Sequence, residues 1–547
     1  MAGESGSRKW MAVALLGCAQ FIMVLDTTVM NVSISAVVED LDTTVSGVQL
    51  AITAYALVMA AFMLTGGRIG DIFGRRRIFA IGLLIYGLGS LTTALAPNLG
   101  VLLVGWSLIE GLGATLVIPA IMALTAAAYK GRDRAVAYGI LGGIAGAGAA
   151  AGPLIGGAVT TYLSWRYVFA AETVVVVILL AVGLRMLPSP EASGGSLSPL
   201  EVLLTASGMG LVVLAVLKAS QWGFLLPSNP PVIGDREITP LGLSPTPFLI
   251  GVGIAILTLY LRIATKREEV GRQPLLKPSL LGLPRLRAGL TVILLVQLLL
   301  GGLFFVLPVF LQVTLGKNAL ETGVQLVPLS VALIVASLAG PRLALRHSPK
   351  LVTRLGFAVL AAGLLILTGF VSEDFMSLGF SIGMAVAGTG LGLVMSQVGN
   401  VIMSAVSEES TGEAGGMQGT AQNLGFSLGT ALIGAVLLSG LTTGFQDRVN
   451  ASQVIPTSVK EQVAQRTEAG VQVVSEADAT KAATDAGLSP KEVEDVANEY
   501  MNAQVDALRS SLALVAMIAL FSLYATRRLP IETVEDSAAG APSVAAG

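Results

Sequence analysis

The 547-residue sequence has little of what most soluble functional sites need: one cysteine, one histidine and only 12% charged residues. One thiol and one imidazole cannot form a disulfide framework or a Cys/His metal cage. The formal net charge is −2, so the basic surplus of a nucleic-acid-binding protein is missing. No nucleophile–base pair or cofactor loop is recognisable. We therefore expect no enzyme activity, no cofactor, no metal and no nucleic-acid partner.

Hydrophobic residues, by contrast, make up 54% of the chain. Charged residues make up 12% of the chain, about half their share in ordinary soluble domains. Long uncharged stretches alternate with short polar clusters, as expected of helices that cross a hydrocarbon core about 30 Å thick. Segments of spanning length occur at 11–36, 47–66, 78–96, 100–127, 134–161, 167–187, 200–220, 246–264, 287–314, 321–341, 351–371, 376–405, 415–440 and 507–526. The sequence thus predicts an all-α polytopic membrane protein with about fourteen spans.

The distribution of basic residues predicts how these spans are oriented. An even number of spans places both termini on one side, and short cytoplasmic connections are rich in lysine and arginine. The short connections on the side opposite the termini contain only Arg166, Lys218, Arg236 and Lys317, whereas those on the terminal side hold most of the basic residues. We expect a multi-pass protein of the bacterial cytoplasmic (inner) membrane with both termini in the cytoplasm.

Three acidic residues stand inside predicted spans. Asp26 lies about 15 residues, or roughly 22 Å, into the first span, and Glu110 lies about 10 residues from the outer end of the fourth. A carboxylate at such depth costs about 2.5 to 3.5 kcal/mol on insertion scales, so it usually faces a cavity, a partner or a proton path. Glu172 is shallower, and contact with interfacial water beside Arg166 explains it equally well. All three are candidates for proton coupling, with a structural hydrogen bond as the alternative for Asp26.

The connection after the second span combines glycines with charges over residues 67–77. Glycine permits a tight reversal of the chain, and Asp71 compensates the arginines at the start of the next helix. A topology anchor is the alternative interpretation. The candidate residues for a conformational gate are Gly67, Gly70, Asp71, Gly74, Arg75 and Arg76.

A second glycine motif lies in the fifth span and consists of Gly148, Gly152, Pro153, Gly156 and Gly157. Glycines four residues apart share one helix face and allow a neighbouring backbone to approach closely. The proline removes one intrahelical hydrogen bond and bends the helix. Close packing explains the motif as well as a hinge or a seal does.

These patterns resemble the major facilitator superfamily, specifically its fourteen-helix drug:proton antiporter group. Residues 67–77 are similar to the superfamily's loop signature between helices 2 and 3, residues 148–157 to its antiporter signature, and residues 25–32 to the first-helix motif with a membrane-embedded aspartate. In the second half, residues 308–328 resemble the helix 9 to helix 10 region, and residues 419–429 resemble a small-residue helix of the group.

The sequence also departs from the family pattern. The fourth-helix motif usually places an arginine three residues before a glutamine, and here these positions are Ser107 and Glu110. Glu172 stands where the group commonly has an asparagine. The resemblance therefore carries a proton path over to Asp26 alone, and we expect that part of the coupling has moved to Glu110.

The resemblance implies the major facilitator fold, two six-helix bundles around a central cavity with two inserted helices. The expected divisions are an N-terminal bundle (1–190), two additional helices (191–265), a cytoplasmic linker (266–286) and a C-terminal bundle (287–547) that includes an outward loop (441–506). The last part of this loop starts a helix, with Ser489 as N-cap, Pro490 and Glu492. We expect the loop to be a solvated cap without chemistry.

The implied function is proton-coupled secondary active export, a multidrug-type antiport of amphipathic or lipophilic small molecules by alternating access, with protons as the coupling ion. Asn31, Gln297 and Gln312 are candidates for polar groups of the cavity. Export or flipping of a lipid or cell-envelope precursor is the alternative. Apart from its substrate and membrane lipids, we expect no partner and a monomeric protein.

Overall fold

The computed structural model describes residues 2–531 except 190–191, 193, 195–196, 228, 234–235, 372–376, 408–409 and 468–472. In these residues the chain is almost entirely helical, and its short strands β1 (Val232–Ile233) and β2 (Arg236–Glu237) form one antiparallel pair. Within the described part, 13 helices are long and apolar enough to cross a membrane. The expectation of an all-α polytopic membrane protein is confirmed.

The first half of the chain provides six spanning segments. In chain order its helices are α1 (Ala2–Val32), α2 (Ile34–Asp40), α3 (Val45–Phe73), α4 (Arg75–Ala94), α5 (Leu99–Leu102), a π-helical stretch (Leu103–Glu110), α6 (Gly111–Ala128), α7 (Gly131–Tyr162) and α8 (Arg166–Ile178). The α-helical part of the sixth segment has only 13 residues, and π-helical (Leu179–Gly183) and 3-10 (Leu184–Met186) turns extend it. This sixth segment is the one predicted span that is missing from the 13 helices long and apolar enough to cross a membrane.

The remainder consists of two helices between the halves, the linker and the second half. Its helices are α9 (Pro199–Trp222), a 3-10 turn (Pro240–Gly242), α10 (Pro245–Glu269), α11 (Pro278–Leu281), α12 (Pro284–Val309), a π-helical stretch (Phe310–Thr314), α13 (Ala319–Gln325), α14 (Val327–Arg346), α15 (Pro349–Phe370), α16 (Leu378–Ser404), α17 (Thr411–Ala451), α18 (Thr457–Arg466), α19 (Glu476–Asp485), α20 (Pro490–Ala525) and a 3-10 turn (Thr526–Arg528). α9 packs on α10 and also contacts α3 and α17, one helix from each half.

The contacts between the halves run through a few helices. Within the first half, α1 packs on α7 and α4 packs on α6 and α8; within the second, α12 packs on α17 and α14 and α15 pack on α16. Across the halves, α7 contacts α13, α14 and α16, and α17 contacts α3 and α6. α7 and α17 therefore connect the packing of one half to the packing of the other.

The turn predicted at residues 67–77 is much tighter than expected. α3 continues through Phe73 and α4 begins at Arg75, so Gly74 alone lies between them. Gly74 has φ of 97°, a backbone conformation that glycine adopts without the Cβ clash of other residues. Gly70 lies inside α3, as Gly67 does, so the predicted role of Gly70 in the reversal was wrong. We call the end of the molecule at Gly74 the basic side and the opposite end the loop side.

The loop at 441–506 is more structured than a solvated cap. α17 runs on to Ala451, and α20 begins at Pro490 with the predicted capping box of Ser489 and Glu492. α18 and α19 pack against these extensions, and the buried side chains there include Val459, Ala483, Val493, Val496 and Tyr500. The Tyr500 hydroxyl accepts a hydrogen bond of 2.9 Å from the Val474 amide. The apolar side chains of this segment thus belong to the main hydrophobic core, which extends along the ends of two spans.

Deletion of residues 450–485 should lower the thermal stability of the protein and leave its transport activity intact. Val493, Val496 and Tyr500 would become exposed to solvent, but no residue of the motifs in the spans would be changed. Replacement of the segment by a glycine–serine linker of equal length is the control for chain connectivity. A shortened protein that inserts and keeps its melting temperature in detergent, yet no longer transports, would show that the loop participates in transport.

Candidate functional site

Three carboxyl groups from three helical segments meet inside the first half. Asp26 of α1, Glu110 at the end of the first π-helical stretch and Glu172 of α8 each place a carboxylate oxygen within 4.8 Å of the others. Their exposed fractions are 0%, 0% and 2%. Glu172 is therefore buried, and Arg166 lies elsewhere, in an ion pair with Asp40. Of the two interpretations of Glu172, interfacial contact was wrong and burial is correct. We call these three residues the acid cluster.

The acid cluster is only partly satisfied by hydrogen-bond donors. Trp106 Nε1 donates to Asp26 Oδ1 at 2.8 Å, and the Tyr86 hydroxyl and Ser90 Oγ both donate to Glu172 Oε2 at 3.1 Å. Asp26 Oδ2, both Glu110 oxygens and Glu172 Oε1 are buried without a partner. Among the described residues, no lysine or arginine forms an ion pair with any of the three.

Electrostatic repulsion prevents full ionisation of this cluster. Two unit charges 4.8 Å apart repel by roughly 3 kcal/mol at an effective dielectric constant of about 20. Three such pairs, with no cation to offset them, would make the fully ionised state very costly. The geometry is that of a group of carboxyl side chains that share protons.

The π-helical stretch explains how Glu110 reaches the cluster. Wide turns of this kind are rare and shift the side chains that follow them. α4 can approach closely because Gly89 has no side chain: a Cβ there would lie 2.5 Å from the Glu110 amide nitrogen. Ser107, at the position of the family arginine, instead donates a 2.8 Å hydrogen bond to the Ala51 carbonyl. No side chain on this helix therefore replaces the missing cation.

The glycine motif of α7 holds α1 in place. Gly148, Gly152 and Gly156 face α1. A Cβ at Gly148 would meet Phe21 and Val24, one at Gly152 would meet Thr28, and one at Gly156 would meet Val29. Thr28 and Val29 follow Asp26 by two and three residues, so the motif sets the depth and rotation of the helix that carries this acid. Pro153 and Gly157 lie in the same stretch of α7 and are buried.

The opposite part of α7 contacts the second half. Gly142, Gly143 and Gly146 lie against Met395, Ser337 and Leu333, and the Pro153 carbonyl lies against Gly323 of α13. Small residues at these places bring the backbones close together. One helix thus contacts both the segment with Asp26 and the interface between the halves.

On the basic side, Asp71 joins the two halves. Its carboxylate forms an ion pair of 3.0 Å with Arg75 Nε and lies against Gly412, the second residue of α17. The start of a helix carries partial positive charge, so an aspartate there is stabilised. Gly67 lies against the Gly412 carbonyl, where a Cβ would be only 2.6 Å from the oxygen. Arg76 is half-buried and Gly70 has open space around its Cα.

The linker adds charged contacts around the same point. Glu413, whose side chain is 1% exposed, lies 3.9 Å from Arg68 Nη1 and 3.7 Å from Lys277 Nζ. Arg68 Nη2 donates to Gln273 Oε1 at 2.5 Å. Lys277 also donates its amide to Glu413 Oε2 at 3.1 Å. The strap of the linker, residues 273–277, therefore binds both halves on the basic side.

The inserted helices α9 and α10 also form hydrogen bonds with this strap. Glu201 of α9 accepts hydrogen bonds of 2.6 Å from Arg267 Nη1 and from the Leu275 amide. The Tyr260 hydroxyl accepts one of 2.9 Å from the Leu276 amide. Residues 201 and 413 had not been predicted as functional, because each looked like an ordinary charge at the end of a span.

Comparison with known proteins identifies the family. The model of the Major Facilitator Superfamily matches residues 16–430. The chain belongs to the major facilitator superfamily. It is 32% identical over 437 residues to the puromycin resistance protein pur8 of Streptomyces alboniger, which covers 78% of this chain and 82% of the relative. It is 28% identical over 444 residues to the tetracenomycin C resistance and export protein of Streptomyces glaucescens, with coverage of 81% and 78%.

Solved structures support the same fold. The human organic anion transporter MFSD10 (TETRAN) aligns with a TM-score of 0.55 at 11% identity, covering 95% of this chain and 99% of its own. The proton:xylose symporter XylE gives a TM-score of 0.54 at 13% identity, with coverage of 97% and 99%. These likenesses concern the fold alone, and they confirm the expected major facilitator architecture.

The three candidate cavity residues lie on α1, on α12 and on the π-helical stretch after α12. Asn31 of α1 is exposed, and its Nδ2 donates to the Thr27 carbonyl at 2.7 Å. Gln297 and Gln312 lie half-buried on α12 and the π-helical stretch that follows it. In the described part of the chain no hydrogen bond links these residues, and their assignment to the cavity stays a prediction.

Proposed function

We propose that this protein is a proton-coupled exporter of amphipathic or lipophilic small molecules that works by alternating access. Its relatives named above are antibiotic resistance or export proteins, and a further one, 26% identical over 451 residues, is the multidrug resistance protein Stp of Mycobacterium tuberculosis. The observation that carries proton coupling is the acid cluster, which is buried and has no paired cation among the described residues. Protons are the coupling ion, and no cofactor takes part.

The proton gradient supplies enough free energy for this reaction. One elementary charge that crosses the membrane releases about 2.3 kcal/mol per 100 mV. A tenfold uphill gradient of a neutral solute costs about 1.4 kcal/mol. Protonation of the acid cluster from the outside would release the substrate or permit return of the empty carrier, and deprotonation to the cytoplasm would restore the binding state.

The contacts of Asp71 and of the strap act as the cytoplasmic gate. The basic side faces the cytoplasm of a bacterial cell, as its arginines favour. There the pair Arg68–Glu413 and the contacts of Asp71 and Gly67 with Gly412 keep the halves together. Separation of these contacts would open the path to the cytoplasm, with α7 transmitting the movement to the helix that carries Asp26.

Asp26→Asn should abolish proton-driven efflux and leave the fold intact, because asparagine keeps the size and hydrogen bonding of the side chain but cannot ionise. The measurement is uptake of labelled puromycin into inside-out vesicles after an imposed pH gradient. Asp485→Asn, the same change at an exposed residue on the loop side, should behave like the parent. Normal gradient-driven uptake by Asp26→Asn would refute the assignment.

Glu110→Gln should weaken proton coupling less completely than the Asp26 change and move the pH profile of efflux to lower pH. Loss of one acidic neighbour removes repulsion from the remaining carboxylates, which then ionise more readily. The pH profile of efflux and the proton release on puromycin binding would be measured, with the exposed Glu494→Gln as control. Superimposable profiles for Glu110→Gln and the parent would assign Glu110 to packing.

Asp71→Asn should slow turnover and leave equilibrium affinity for puromycin within a few-fold of the parent. The neutral side chain weakens the contact with Arg75 and with the start of α17, both remote from the acid cluster. Initial rates in vesicles and binding to purified protein separate the two effects. A large loss of affinity at normal turnover would contradict a role of Asp71 in the gate.

A further inference from the structure

One buried polar group next to the acid cluster has no part in the mechanism above. Tyr55 of α3 is 4% exposed, and its hydroxyl lies beside the Asp26 carboxylate but outside the geometry of a full hydrogen bond. A buried hydroxyl without a partner is costly and therefore rare. Asp26 Oδ2, on the same carboxylate, also lacks a partner. A donor and an acceptor thus lie close together, both unsatisfied.

The position of Tyr55 is tied to the other donor of Asp26. Its ring stacks on Trp106 with centroids 4.9 Å apart and planes inclined by 11°, and Trp106 Nε1 donates to Asp26 Oδ1 at 2.8 Å. Gly111 lies next to this stack, and a Cβ there would make an ordinary contact of 3.6 Å with Tyr55 Cδ2. The two aromatic side chains are therefore held against one carboxyl group.

The two protonation states of Asp26 require different numbers of donors. A neutral carboxyl group carries its own proton on one oxygen, whereas a carboxylate only accepts hydrogen bonds and is stabilised by a donor to each oxygen. We propose that Tyr55 is a positioning residue for proton transfer. When Asp26 loses its proton, the Tyr55 hydroxyl turns and donates a hydrogen bond to Asp26 Oδ2. Tyr55 and Trp106 together then set the pH at which the exporter releases that proton.

This inference rests on the proposed function and takes account of every charged or titratable group around Asp26. Glu110 and Glu172 face it from the fourth and sixth segments. Tyr86 of α4 already donates to Glu172 Oε2 at 3.1 Å, so its hydroxyl is engaged. No lysine or arginine among the described residues pairs with the cluster. The hydroxyl of Tyr55 is the remaining unengaged donor next to Asp26.

The test needs no substrate, because Trp106 itself reports on Asp26. Tryptophan emission of the purified full-length protein is recorded as a function of pH, and the contribution of Trp106 is the part that Trp106→Phe removes from the signal of the four tryptophans. Tyr55→Phe removes only the hydroxyl and keeps the stacked ring. Tyr138→Phe is the matched control, since Tyr138 is 2% exposed in the same half and donates to the Met122 carbonyl.

Tyr55→Phe should move the midpoint of the Trp106 titration to higher pH by about one to two units, the equivalent of one hydrogen bond to a charged group. The midpoint rises because the carboxylate loses a hydrogen-bond donor, so that Asp26 keeps its proton up to a higher pH. Tyr138→Phe should leave the midpoint unchanged, and Asp26→Asn should abolish the transition. Equal midpoints for Tyr55→Phe and the parent would overturn the role of Tyr55 alone. A transition that persists in Asp26→Asn would overturn the coupling role of Asp26 as well.

Discussion

The structure depends on one electrostatic constraint, the burial of three carboxyl groups at mutual distances under 5 Å without a paired cation among the described residues. In low dielectric such a group is stable only if it keeps protons and receives hydrogen bonds. Trp106, Tyr86 and Ser90 supply some of these bonds, and four carboxylate oxygens remain without any. This incomplete solvation is what makes the cluster suited to exchange protons rather than to hold a permanent charge.

Glycines determine how closely the helices around this cluster pack, and so where its carboxyl groups lie. Gly89 lets α4 reach the backbone of Glu110, and Gly152 and Gly156 seat the segment of α1 that carries Asp26. Because α7 also contacts α13, α14 and α16, movement of the second half displaces the helix on which Asp26 is seated. In the proposed mechanism, α7 would thus connect proton exchange with the opening of the basic side without a direct contact between Asp26 and Asp71.

Features that depend on local spacing could be predicted from the sequence. The spans, the places of Asp26 and Glu110 within them, and the capping box at Ser489 all follow from hydropathy, helical rise and helix-start chemistry. The burial of Glu172 did not follow, because it depends on Tyr86 and Ser90 of another helix. Contacts such as Arg68 with Glu413 join residues far apart in the sequence, and no local pattern reveals them. The π-helical turn at Glu110 likewise has no clear sequence signal.

The most direct test of proton-coupled export is the steady-state distribution of a labelled lipophilic substrate in proteoliposomes whose membrane potential is clamped at zero with potassium and valinomycin. An imposed pH gradient is then the only driving force. Our account predicts that the accumulation ratio rises with the pH gradient, by up to about tenfold per pH unit for each proton exchanged, and falls to one when nigericin collapses the gradient. Transport across the membrane with a ratio that stays at one for every imposed gradient would contradict it.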